Sequence, residues 1–208
     1  MKSGIATAAL GAAVLASALA IIYAQTDGLR AVTSDALPAA VIRSRPTIEA
    51  RLRSADGVPL AGLPGGGSLR LVEITYARCR TICSAQGAAL AQIYGAFAPQ
   101  IDSGSLSLVS LSVDPDDCPG FLERRLKAFG GDRHGWTGAC VFDRSALESL
   151  HRSTGVVAIR DGSGDIRHTA GMFVVSPTGR VLRYLPSADK QSVALGVLAA
   201  QGSEASDD

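Results

Sequence analysis

Cys79 and Cys83 are the residues whose types and spacing point most directly to chemistry. They form a C-x-x-x-C pair in the run Thr75-Tyr-Ala-Arg-Cys-Arg-Thr-Ile-Cys83. An apolar, strand-like run (Leu69 to Ile74) lies just before it and a helix-like run (Ala85 to Phe97) just after. Two sulfurs four residues apart at such a junction can share one metal ion or close into one disulfide. Free amide N–H groups at a helix start favour the thiolate, and Arg78 and Arg80 add positive charge beside Cys79. A lowered thiol pKa suits metal binding and disulfide exchange alike, while the two arginines equally fit an ordinary solvated surface.

The spacing narrows the choice. Thiol oxidoreductases of the thioredoxin type usually carry C-x-x-C, one residue shorter. A closed zinc site normally takes four ligands, often from two paired motifs, and the chain has no second pair. Two thiolates and one imidazole would make a three-coordinate soft site, which suits copper. Of the three histidines, His134 sits in a polar loop and reads as exposed. His151 lies near a helix end and reads as structural. His168 precedes a late strand, where the loop of a thioredoxin-like sheet approaches the first helix N-terminus and hence the cysteines. The other cysteines, Cys118 and Cys140, admit a structural bridge; Cys118 also admits a small buried thiol or a third exchanging thiol.

The elements that must position these residues follow from periodicity. Ile48 to Arg53 alternates like a strand, and Leu69 to Ile74 and Leu106 to Val113 read as buried strands. Leu90, Ile93, Tyr94 and Phe97 mark one face of a helix. Pro119 fits the first turn of a helix carrying Phe121, Leu122, Leu126 and Phe129. Ser145 and Glu148 are spaced as a capping box, and Gly155 as the stop of that helix. Met172 to Val175 and Val181 to Tyr184 flank Ser176-Pro-Thr-Gly179, a hairpin signal. Val193, Val197 and Leu198 mark a last helix. The Gly65-Gly-Gly67 run lacks the Lys-Ser/Thr of a phosphate loop and reads as a turn. The order β, β, α, β, α, α, β, β, α predicts an α/β domain of thioredoxin-like plan, a central mixed sheet with helices on both faces.

At the N-terminus, Lys2 precedes an uncharged run from Gly4 to Ala24 that is long enough to span a bilayer core of about 30 Å. An uncleaved anchor and a cleaved signal peptide compete for it, and both export the rest of the chain. The expected organisation is therefore an anchor or signal segment at 1–24, a linker at 25–46, the folded domain at 47–201 and a disordered tail at 202–208. The C-terminal domain would lie on the periplasmic, non-cytoplasmic side of an inner membrane. A net charge of +1 and a pI near 7.7 leave no basic excess for nucleic acid.

The chain resembles the Sco/SenC/PrrC family of copper proteins. The resemblance rests on Thr75-Tyr76 with Cys79-x-x-x-Cys83, on Leu111-Ser-Val-Asp-Pro115 with Cys118-Pro119, on Trp136-Thr-Gly138, and on His168-Thr169 followed by Met172-Phe173 and Ser176-Pro-Thr-Gly179. It is colinear from about Ile48 to Tyr184. It implies a thioredoxin-like fold that binds one copper ion, Cu(I) or Cu(II), through Cys79, Cys83 and His168. It also implies a metallochaperone, not an enzyme in the usual sense, serving the dinuclear copper centre of cytochrome c oxidase subunit II. The alternative from another class is a thiol–disulfide oxidoreductase or redox sensor using Cys79 and Cys83. A third reading is a structural exported domain with two bridges. This chain departs from the family pattern at Arg80 and Ser84, where proline is frequent, at Arg167, where aspartate is usual, and at Cys118, where threonine is usual.

Overall fold

The computed structural model describes residues 2–25, 36–79, 82–131, 133–162, 164–186, 193–194 and 196–198. Nine strands and six α-helices are defined among them: α1 Lys2–Gln25, α2 Ala36–Val41, β1 Leu52–Ser54, β2 Pro59–Leu60, β3 Leu69–Thr75, α3 Ile82–Ala96, α4 Ala98–Asp102, β4 Leu106–Ser112, α5 Phe121–Phe129, β5 Trp136–Val141, α6 Arg144–Thr154, β6 Ala158–Arg160, β7 Ile166–His168, β8 Met172–Val175 and β9 Val181–Leu185. Seven strands form one mixed sheet in the order β2-β1-β5-β4-β3-β8-β9, and β6 and β7 form a separate hairpin. Strands β3, β4 and β5 run parallel through the centre, with antiparallel pairs on either side. The helical crossovers between parallel neighbours supply one layer, and α6, after β5, covers the other face.

The two sheet faces are buried by different helices. Leu71 and Leu108 pack with Leu90 and Ile93 of α3 and Leu122 and Leu126 of α5. Val72, Val109 and Val141 pack with Ala146 and Leu150 of α6 on the other face. Every residue of β3 and β4 is buried, as expected of central parallel strands covered on both sides. The mixed sheet with helices on both faces matches the expected thioredoxin-like plan.

Several local expectations change. Strand β5 was not foreseen, because Gly138 interrupts its apolar pattern. A Cβ there would lie 2.6 Å from Leu126 Cδ1 and 3.0 Å from Leu122 Cδ2, so the glycine is required by the close approach of α5 to the sheet. Helix α6 is capped by Asp143, whose carboxylate accepts from the Ala146 amide at 2.9 Å, and not by Ser145, whose hydroxyl instead donates to Asp143. The expected stop at Gly155 holds, with φ 73° and its amide donating to His151 O. Pro119 lies before the N-cap of α5 (Gly120) and not inside its first turn. Phe121 is exposed, whereas Leu122 and Leu126 are buried. Residues 36–44, expected as spacer, form α2 and a short 3-10 turn, with α2 against α6 and β9. The expected linker residues 26–35 and tail 202–208 lie outside the described residues.

Cys118 and Cys140 form a disulfide that ties the segment before α5 to β5, with Cα atoms 6.1 Å apart. Both are buried. The bridge is thus the reading of Cys118 that holds, and the third-thiol reading falls. A buried ion pair crosses the same layer. Arg125 of α5 donates to Glu73 Oε1 at 2.9 Å, Ser110 donates to Glu73 Oε2 at 2.8 Å, and the Trp136 indole donates to Ser110 at 3.2 Å. Burial pushes the Glu73 carboxyl up, against the opposing pull of Arg125 and Ser110.

No helix of the described residues is long and apolar enough to cross a membrane. Helix α1 has 24 residues, and its described side chains, residues 11–24, are exposed. Nine alanines in the run from Gly4 to Ala24 dilute its apolar character.

Candidate metal centre

Strand β3 ends at Thr75, and the turn that follows carries Tyr76, Arg78 and Cys79. The Cys79 amide donates to Tyr76 O at 3.4 Å, closing this turn, and Cys79 is half-buried against the cluster on the α6 face. Cys83 is the second residue of α3; its side chain lies outside the described ones. The pair therefore sits where the sequence placed it, at a strand-to-helix junction.

His168 ends β7, in the hairpin with β6. Its ring packs edge-on against Tyr76, with centroids 5.7 Å apart, and the Tyr76 hydroxyl donates to Asp165 on the same hairpin. Tyr76 lies three residues before Cys79, so the cysteine loop and the histidine meet through one aromatic side chain. His168 Nδ1 lies 2.8 Å from Thr169 O. A carbonyl only accepts, so Nδ1 carries the proton and Nε2 keeps its lone pair. Burial lowers the His168 pKa; the Thr169 bond opposes this, and the Arg125 charge adds to the lowering. A neutral ring with one nitrogen fixed by a backbone carbonyl is the usual form of a ligating histidine.

Two carboxylates hold the cysteine loop, and one of them, Asp114, ties it to the hairpin. Asp114 is fully buried and accepts from Arg78, next to Cys79, and from Arg160 of β6 at 3.0 Å. Asp117, also fully buried, accepts from the Ala77 amide at 2.5 Å and from Ser112 at 2.6 Å. Burial pushes the Asp117 carboxyl up, against the lowering by these bonds, and the Asp114 bond raises the Arg78 pKa. In the sequence Asp114 stood out only within the Leu111-Ser-Val-Asp-Pro115 run, and its bridging role was not foreseen. The only available signal was a run of carboxylates, Asp114, Asp116 and Asp117, just after an uncharged strand.

His134 is exposed, and His151 is exposed with Nδ1 3.0 Å from Val156 O, so neither lies with the cysteines. Among the described residues no three His, Cys, Asp or Glu side chains cluster as a metal site. A cavity of about 540 Å³ lies behind the hairpin, lined by Val113, Leu147, Val156 and Ile166 among others, and includes none of Cys79, Cys83 and His168.

The SCO1/SenC profile matches residues 52–201. The chain belongs to the SCO1/SenC family. Solved structures with the same fold include ScoI from Arabidopsis thaliana with copper bound, at 21% identity and a TM-score of 0.61 over 74% of this chain and 96% of that one. Bradyrhizobium japonicum ScoI with copper bound aligns at 21% identity and a TM-score of 0.54, over 71% and 94% of the two chains. Yeast Sco1 with copper bound aligns at 14% and 0.58, over 72% and 84%. No curated protein sequence matches the chain. Within this SCO1/SenC chain, the Cys79 turn and the hairpin that carries His168 are the elements the geometry brings together.

Proposed function

We propose that the protein is a copper chaperone that holds one copper ion through Cys79, Cys83 and His168 and passes it on for assembly of the dinuclear copper centre of cytochrome c oxidase subunit II. The observation that carries this reading is the meeting of the Cys79 turn and His168 through Tyr76, with the His168 proton committed to Thr169. The donor set fits the cargo. Thiolates and a neutral imidazole suit copper, and three ligands leave room for a ligand of the acceptor to enter. Membership of the SCO1/SenC family and the copper in three related structures support the same reading.

The chain works outside the cytoplasm, at the inner membrane. The Cys118–Cys140 bond supports export, because such bonds persist in oxidising compartments.

The test is transfer. Copper-loaded protein is mixed with the reduced, metal-free soluble domain of oxidase subunit II, and the appearance of the acceptor's copper spectrum is followed. Transfer that disappears in His168→Ala supports chaperoning. Reduction of an oxidised acceptor that needs no copper and ignores His168→Ala would replace it with the thiol–disulfide reading.

A further inference from the structure

Phe121 opens α5 and is the one exposed aromatic side chain among the described residues after residue 36, at 43% exposure. It lies between two guanidinium groups. Arg78 Cζ is 5.6 Å and Arg124 Cζ 4.6 Å from its ring centroid. Arg78 is adjacent to Cys79 and is fixed by Asp114, so this patch borders the cysteine turn. Arg124 is exposed and has no carboxylate partner among the described residues.

The charged groups that touch the Phe121 ring are both arginines. The run from Tyr76 to Ser84 contains Arg78 and Arg80 and no acidic residue, and Arg167, beside His168, is exposed. The carboxylates nearby already have hydrogen-bond donors or ion-pair partners. Asp114 takes Arg78 and Arg160, Asp117 takes Ala77 and Ser112, Asp165 takes Tyr76, Asp161 takes the Asp165 amide and Glu123 takes Lys127. Asp116 is the remaining exposed carboxylate there.

We infer that Phe121, Arg78 and Arg124 form the docking surface for the protein that exchanges metal with this chain, and that the matching partner surface is acidic and carries an aromatic side chain that stacks on Phe121. The inference rests on the copper-exchange reading for its purpose, though not for its test. Aromatic and arginine side chains are both enriched at protein interfaces relative to the rest of the surface. Charge complementarity at the rim raises the encounter rate and selects the partner. Docking here places the partner's metal-binding groups beside Cys79.

The test uses the full metal-free chain and a cysteine-free synthetic peptide bearing one Trp within a run of glutamates, against the same peptide with glutamines. Binding is read by fluorescence anisotropy at low and high salt. The expected result is that the glutamate peptide binds about tenfold more tightly than the glutamine peptide. The preference should shrink at high salt and be lost in Arg124→Glu, and Phe121→Ala should weaken binding of the glutamate peptide. Both positions are exposed, and a wild-type melting curve for each variant shows that the fold persists. Equal binding of the two peptides, or an undiminished preference in Arg124→Glu, would overturn the inference. Copper binding is measured separately, so a chain that binds the acidic peptide but no copper would refute the chaperone reading and leave this surface standing.

Discussion

Replacing Cys118 and Cys140 by alanine tests how the segment under the site is held. The bond closes a loop with a sequence separation of 22. Removing it frees that loop in the unfolded chain, which is worth about 3.4 kcal/mol at 25 °C. A domain of this size loses about 2–4 °C of Tm per kcal/mol, so the double variant should melt about 7–14 °C below the wild type. The small cavities left beside Leu122 and Trp136 push in the same direction. The assay is thermal unfolding by circular dichroism without reductant. Strong reductant should lower the wild-type Tm to about that of the variant and leave the variant unmoved. A variant melting within about 2 °C of the wild type, or one still sensitive to reductant through this region, would refute the loop-closure argument.

Glu73→Gln should destabilise the fold by about 3–5 kcal/mol in urea unfolding, because it leaves the Arg125 charge buried without a carboxylate; Glu73→Leu with Arg125→Met should cost clearly less. Asp114→Asn removes the charge that joins Arg78 to Arg160, and copper affinity measured by competition with a chelator should fall about tenfold or more. Gly138→Ala should cost about 1–3 kcal/mol, since its methyl group would press on Leu122 and Leu126. Asp143→Ala should lower Tm at neutral pH. The Ser145 and Ala146 bonds hold the Asp143 carboxyl below its usual range, so its contribution is present above the unfolded pKa and is lost as pH falls through the native one. The Tm difference should therefore close in strong acid.

The central strands, the amphipathic α3 and the β8–β9 hairpin were legible because their apolar residues recur at the period of the element, as at Leu90, Ile93 and Phe97. Strand β5 was hidden by Gly138, whose presence answers to the close packing of the preceding helix, α5, on the sheet. The β6–β7 hairpin was hidden because each strand has three residues and no buried alternation beyond Ile166. At the site, the spacing of Cys79 and Cys83 pointed to metal or redox chemistry, and the family resemblance singled out His168. The supports of that site were not legible. Asp114 is 36 residues from Arg78 and 46 from Arg160, and only the folded sheet brings them together. Phe121 was read only as one apolar residue of its helix; Leu122 and Leu126 fill the buried face, and its ring lies with arginines instead.

The most direct test of the account is copper stoichiometry on the reduced full chain, with Cys79→Ser, Cys83→Ser and His168→Ala measured beside it. The account predicts about one copper per wild-type chain, retained through desalting, and its loss or marked weakening in each variant. Undiminished copper binding in all three variants would contradict it.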